Sequence, residues 1–152
     1  MRRRALLAVA ATVPLAGCPA APWRDDPENV DGAEVTLRRE HTGTFDSDEP
    51  GHSDDAVLLP AVDADPPRVT VRGRLLDGSR DCYRVDLIEA TLDADRLSCR
   101  LTTEDDPDWD ESGCSDIAEP HPYEVVVRFI EAPVPETVDV RHGDETILEE
   151  RV

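Results

Sequence analysis

The chain has 152 residues, with 35 Asp plus Glu against 16 Lys plus Arg, a formal charge of −19 and a sequence pI near 4.3. Every basic residue is an arginine. Phosphate recognition needs a basic footprint, so this balance excludes nucleic-acid binding and opposes electrostatic docking on anionic lipid. The length accommodates one domain with a leader and a tether.

Residues 1–17 combine Arg2-Arg3-Arg4 with an apolar run from Ala5 to Ala16, interrupted by Pro14. The run is too short to span a bilayer as a mature helix and suits a signal-peptide core. Arg3-Arg4-Ala5-Leu6-Leu7 resembles a twin-arginine export motif, and Leu15-Ala16-Gly17-Cys18 resembles a lipobox. In such a motif the cysteine thiol takes the lipid and becomes the new N-terminus. Cys18 is therefore the expected lipidation site and membrane lipid the first partner. After cleavage, 13 arginines would face 35 acidic residues, a balance of −22. Residues 18–32 contain Pro19, Pro22 and Pro27 and no periodic apolar face, which predicts an extended tether.

Aromatic residues make up only 4% of the chain, a composition that permits disorder, but the apolar positions from 33 onward follow strand period. Val35 and Leu37 alternate with polar neighbours and predict a strand over 33–40. Residues 41–56 read as a loop, and Val57–Pro60 as a brief strand or a loop plug. From Arg68 the alternation is regular: Val69, Val71, Gly73 and Leu75 take one face. Gly73 on that apolar face predicts a bulge or a close backbone approach. The strand at 82–92 turns Tyr83, Val85 and Leu87 inward, then changes phase, so a bulge is expected at Ile88-Glu89. Leu97, Cys99 and Leu101 face inward in 96–103. An acidic loop over 104–120 precedes Tyr123, Val125, Val127 and Phe129, whose strand also carries Val126 and Ile130 and so reads as central. Shorter strands follow at 137–141 and 146–152. About seven strands without helical period predict an all-β domain over 33–152, an antiparallel β-sandwich of immunoglobulin-like kind.

With Cys18 assigned to lipid, Cys82, Cys99 and Cys114 can form at most one disulfide. Placing Leu92 opposite Arg96 sets Cys99 opposite Glu89. Cys82 then lies seven positions further along, roughly 24 Å at ~3.4 Å per residue and beyond bridging reach. The same register sets Cys82 opposite Asp106, at the mouth of the loop holding Cys114. Cys82–Cys114 is the pairing this favours; Cys99–Cys114 and free thiols are the alternatives.

Asp106, Asp108 and Asp110 have the spacing that opens a calcium-binding EF-hand loop. Glu111 occupies the glycine position and Ile117 the bidentate glutamate position, so the match ends there and no firm metal site is assigned. His41, His52, His121 and His142 share no metal-ligand spacing and read as surface residues. Nucleophile elbows, zinc-protease helices, phosphate loops and dinucleotide fingerprints are all missing from the sequence, so no cofactor and no enzyme activity is expected.

The acidic, lysine-free composition resembles that of proteins from extremely halophilic archaea. The run from Gly73 through Cys82 and Cys114 to Tyr123–Phe129 and Pro135–His142 resembles small haloarchaeal lipoproteins with two spaced cysteines before a Tyr-x-Val-x-Val-x-Phe-like strand. That resemblance covers about half of the chain, implies an outer-surface location and supports Cys82–Cys114; Cys99 departs from it. The expected function is a membrane-anchored extracytoplasmic lipoprotein with a β-sandwich interaction or envelope-associated module, exported by the twin-arginine route. The alternative is a small ligand- or metal-binding lipoprotein serving a transporter or redox partner.

Carboxylate self-repulsion is screened by salt. The domain should therefore melt at rising temperature as potassium chloride is raised, and a melt independent of salt would refute the halophilic reading.

Overall fold

Period-two alternation becomes strand throughout the computed structural model, which describes residues 30–39 and 54–152. The strands are β1 (Ala33–Arg38), β2 (Asp55–Ala61), β3 (Arg68–Asp77), β4 (Tyr83–Asp93), β5 (Arg96–Asp105), β6 (Glu119–Phe129), β7 (Thr137–His142) and β8 (Glu145–Arg151). They form two four-stranded sheets, ordered β1-β6-β3-β2 and β4-β5-β7-β8. The domain is a β-sandwich. Eight strands replace the expected seven because the apolar patch after Asp55 pairs with β3 along its whole length. A constant-type immunoglobulin domain divides its strands four and three, so the likeness is one of architecture rather than connectivity.

All neighbouring strands are antiparallel except β5 and β7. Between these two the chain crosses to the other sheet to form β6, and a crossover of this kind returns a strand parallel to the first. β6 is central, between β1 and β3, as its two-sided apolarity predicts. It begins earlier than Tyr123, however, at Glu119, and includes Pro120 and Pro122. Both prolines lie beyond Arg38, the last β1 residue paired with β6, so they sit where only β3 flanks the strand. Proline lacks the donor for a second ladder, and here that ladder has already ended.

The inward faces close on each other. Val69, Val71, Val125 and Val127 from one sheet pack with Leu97, Leu101, Val138 and Val140 from the other, all with no exposed surface. Full burial of such a side chain contributes about 1.5–3 kcal/mol, against about 0–1 kcal/mol for an exposed ion pair. Packing, rather than the many surface arginine–carboxylate pairs, therefore holds the fold.

Register shifts once in the β4–β5 ladder and once in the β7–β8 ladder, between Val140 and Arg141. Leu87 pairs with Leu101, and then Glu89 with Arg100, leaving Ile88 as an extra, exposed residue at the expected bulge. On the turn side of the bulge Cys99 faces Ala90 rather than Glu89. On the far side the pairs return to the expected alignment, and the Asp106 N–H reaches the Cys82 carbonyl at 2.7 Å. At Gly73 the Tyr123 ring crosses the backbone of its cross-strand partner so closely that an added Cβ would lie 2.2 Å from ring atoms.

The chain enters this domain already hydrogen-bonded. The Ala33 N–H binds the Val30 carbonyl, and the Gly32 carbonyl accepts N–H groups from Ile130, Glu131 and Ala132. The last residues of the expected tether are thus fastened to one end of the sandwich.

Because Tyr123 fills the space a side chain at 73 would need, Gly73→Ala should lower unfolding free energy by about 1–3 kcal/mol, the usual cost of overpacking. Chemical denaturation of the two proteins measures it; an unchanged midpoint would show that the ring moves aside freely.

Candidate functional site

The end of the sandwich remote from Val30 is closed by the Cys82–Cys114 disulfide, with Cα atoms 5.8 Å apart. Cys82 begins the approach to β4, and the bridge fastens the exposed loop 106–118 beside it. Among the described residues Cys99 is the free thiol, buried in the core as its inward phase on β5 requires.

Beside the disulfide lies a cleft of about 270 Å³ lined in part by Arg39, Arg80, Arg84, Asp106, Asp108 and His121. The arginines come from the end of β1, the β3–β4 turn and the start of β4. Arg39 is held in place: Nε donates to the Val85 carbonyl at 2.8 Å and Nη2 lies 3.3 Å from the Asp86 carboxylate. Arg84 donates to Glu104 at 2.7 Å. Nε2 of His121 lies 2.8 Å from the Gly78 carbonyl, which only accepts, so that nitrogen is assigned the proton. Glu119 fixes the turn below, accepting the Arg80 backbone N–H at 2.8 Å and the buried Ser79 hydroxyl at 3.1 Å. These two bonds, the backbone one foremost, hold its carboxyl below the usual range. Guanidinium and carboxylate groups thus share one cleft, which suits a small charged or zwitterionic molecule.

The polar chain between the two sheets is different. Tyr123 Oη lies 2.7 Å from His142 Nε2, and His142 Nδ1 bonds Asp54, whose carboxylate also accepts the Leu76 N–H at 3.3 Å. An ionised Asp54 only accepts, so Nδ1 donates to it and Nε2 accepts the Tyr123 hydroxyl. Tyr123 has no exposed surface. This Asp–His–Tyr order therefore joins the two sheets and offers no nucleophile to a substrate. Burial above all raises the Tyr123 phenol, and burial followed by the nearby Asp139 charge pushes the Cys99 thiol up to about 12.

These positions bear on several sequence expectations. His121 and His142 are buried, not surface residues. Each is in phase with an inward stripe, His121 with Tyr123 and Val125, His142 with Val138 and Val140. Carrying the alternation two residues further would have located both. Asp106, Asp108 and Asp110 do not converge: among the described residues no group of three His, Cys, Asp or Glu side chains is placed to hold a metal ion. Two of these carboxylates brace the loop, Asp106 accepting the Asp108 N–H and Asp110 the Ser112 N–H. The Ser112 bonds also lower the Asp110 carboxyl. Cys18, His41 and His52 lie outside the described residues.

No family model, curated protein or solved structure matches the chain.

Cys99 and Tyr123 are both held protonated by burial, so the native state keeps protons that the unfolded chain releases above about pH 9 and 10. The stability they protect is complete below those values. It falls as pH rises toward the folded-state values, by up to about 1.4 kcal/mol per pH unit for each group. In Cys18→Ala protein, no thiol should react with Ellman's reagent until the fold is denatured, and denaturation midpoints should stay level to about pH 9 before dropping. A thiol that reacts in the native protein would overturn this placement of Cys99.

Proposed function

We propose that the chain is a lipoprotein held on the outer face of a cell membrane by lipid on Cys18. It leaves the cytoplasm by the twin-arginine route, and its β-sandwich serves as an interaction or envelope-associated module without catalysis. The observation that carries this reading is the Cys82–Cys114 disulfide. Such bridges form and persist in oxidising compartments, and the arginine cluster, apolar run and lipobox-like residues before Cys18 are the signals that take a domain there. The outline of the domain agrees. β1 leads from the Val30 end toward the disulfide end over six residues, roughly 20 Å at ~3.4 Å each. A tether attached at Val30 would hold the bridged loop and its cleft away from the bilayer.

The arginine-lined cleft favours a second reading, a lipoprotein that captures a small charged ligand for a transporter or redox partner. In both readings the acidic bulk of the chain keeps the domain solvated, and contact is made through particular surfaces.

Expressed in a haloarchaeal host, the wild-type protein should fractionate with membranes and lack residues 1–17, and Cys18→Ala should release it into the medium or leave it unprocessed. Mass spectrometry of the mature N-terminus reads the lipid directly. Membrane retention of Cys18→Ala, processed and without lipid, would refute the anchor.

A further inference from the structure

The outer face of the β1-β6-β3-β2 sheet has a charge that the rest of the chain lacks. Strand register places Arg38, Arg68, Arg72, Arg74 and Arg128 on it, against three acids, Glu34, Glu124 and Asp55. Among the described strand residues, a chain of formal charge −19 thus presents one face with two more positive than negative groups.

The arrangement on that face is unusual in itself. Arg68 and Arg128 are directly opposite across the β3–β6 ladder, where like charges repel. Arg128 is answered by Glu34 at 2.9 Å, but among the described residues Arg68 has no hydrogen-bond or ion-pair partner. Next to this pair runs an uncharged row across all four strands, Leu59, Thr70, Val126 and Thr36. Leu59 is 41% exposed and its strand neighbour Val57 is 37% exposed. Beyond the row, Glu124 is buried between Arg72 at 2.7 Å and Arg38 at 3.4 Å. A like-charge pair compensated on one side only, beside exposed apolar groups, is the pattern of a surface completed by something else.

We propose that this face docks a carboxylate-bearing protein surface: acidic side chains meet Arg68 and Arg128, and an apolar patch covers Leu59 and Val126. The proposal deepens the interaction-module reading above and rests on it. Arginine is the residue suited to bidentate pairing with carboxylates. An anionic bilayer fits less well, because Asp63 and Asp65 in the β2–β3 turn and Asp31 and Glu131 at the same end would be pressed into the headgroups. A protein partner needs only the sheet face. Four strands at ~4.8 Å spacing and seven residues at ~3.4 Å give roughly 400 Å², well below the ~800 Å² per side of a stable complex. The contact is therefore transient, and its outer charges set partner choice more than strength.

The test uses the full lipidated chain in detergent, at high salt, with poly-L-glutamate and phosphatidylglycerol-containing vesicles as separate probes. Poly-L-glutamate should bind, and Arg68→Glu with Arg128→Glu should weaken it at least about tenfold. Arg96→Glu with Arg151→Glu, on the other sheet, should leave it unchanged. The double variant exchanges one like-charge pair for another and removes the partner of Glu34, so Arg68→Glu alone, which relieves the pair, is the variant whose fold should survive, and Arg68→Gln gives a smaller loss in the same direction. Equal losses in both double variants, no binding, vesicle binding that alone depends on Arg68 and Arg128, or self-association through this face without peptide binding would each overturn the proposal. Membrane retention of Cys18→Ala, the result that refutes the anchor, would leave this binding untouched, so the two readings fail separately.

Discussion

The Tyr123 ring lies across Gly73 in its own sheet, and its hydroxyl bonds His142 in the sheet opposite. Most of the domain depends on that placement. A side chain at 73 would push the ring away from the β3 backbone, and without the hydroxyl a buried imidazole nitrogen would lose its donor, at a cost of about 1–3 kcal/mol. His142 also binds Asp54, which fixes the entry into β2. One aromatic side chain thus links the central strand, its neighbour, the facing sheet and the start of an edge strand. The surrounding valines and leucines supply the larger energy, but they are interchangeable in a way that this set is not.

The second constraint is the disulfide, which closes the end of the sandwich where strand pairing gives way to loop. Bridging residues 32 apart stabilises by about 3.7 kcal/mol on the chain-entropy model, before any strain. Its position follows from the bulge at Ile88. On the turn side of the bulge the β4–β5 pairs are displaced by one residue, and on the other side they realign so that Cys82 meets the mouth of the loop bearing Cys114. The expected pairing of cysteines was right although the expected register was right only past the bulge. The same closure brings Asp106 and Asp108 beside Arg39, Arg80 and Arg84, and so builds the cleft.

Charge is distributed with a similar division of roles. Among the described residues, every arginine but Arg39 and Arg80 occupies a strand position, while acidic residues are shared between strands and the water-facing turns and 106–118 loop. On strands their aliphatic stems cover apolar surface and their guanidiniums meet carboxylates across the ladder, as Arg72 and Arg38 do over Glu124. The Arg68–Arg128 pair breaks that scheme, and the uncharged row beside it makes the break look outward.

Period two and the placement of turn residues determined the strands, the inward faces, the central position of β6, the bulge and the close approach at Gly73. These are local properties of a chain in which each side chain's face is decided by parity. The sequence could also limit the disulfide to a few pairings and point to Cys18 as an anchor. It did not yield the parallel β5–β7 pair, because which strands become neighbours depends on how two sheets stack, not on either strand's pattern. His121 and His142 were misread for a related reason. Parity carried past the recognised strands puts both inward, where tertiary structure supplies the partners a buried histidine needs, the Gly78 carbonyl and the Tyr123 hydroxyl with Asp54. The arginine-lined cleft and the basic sheet face likewise assemble residues 39, 68, 80, 84 and 128 from distant segments. No spacing rule joins them, and only the fold does.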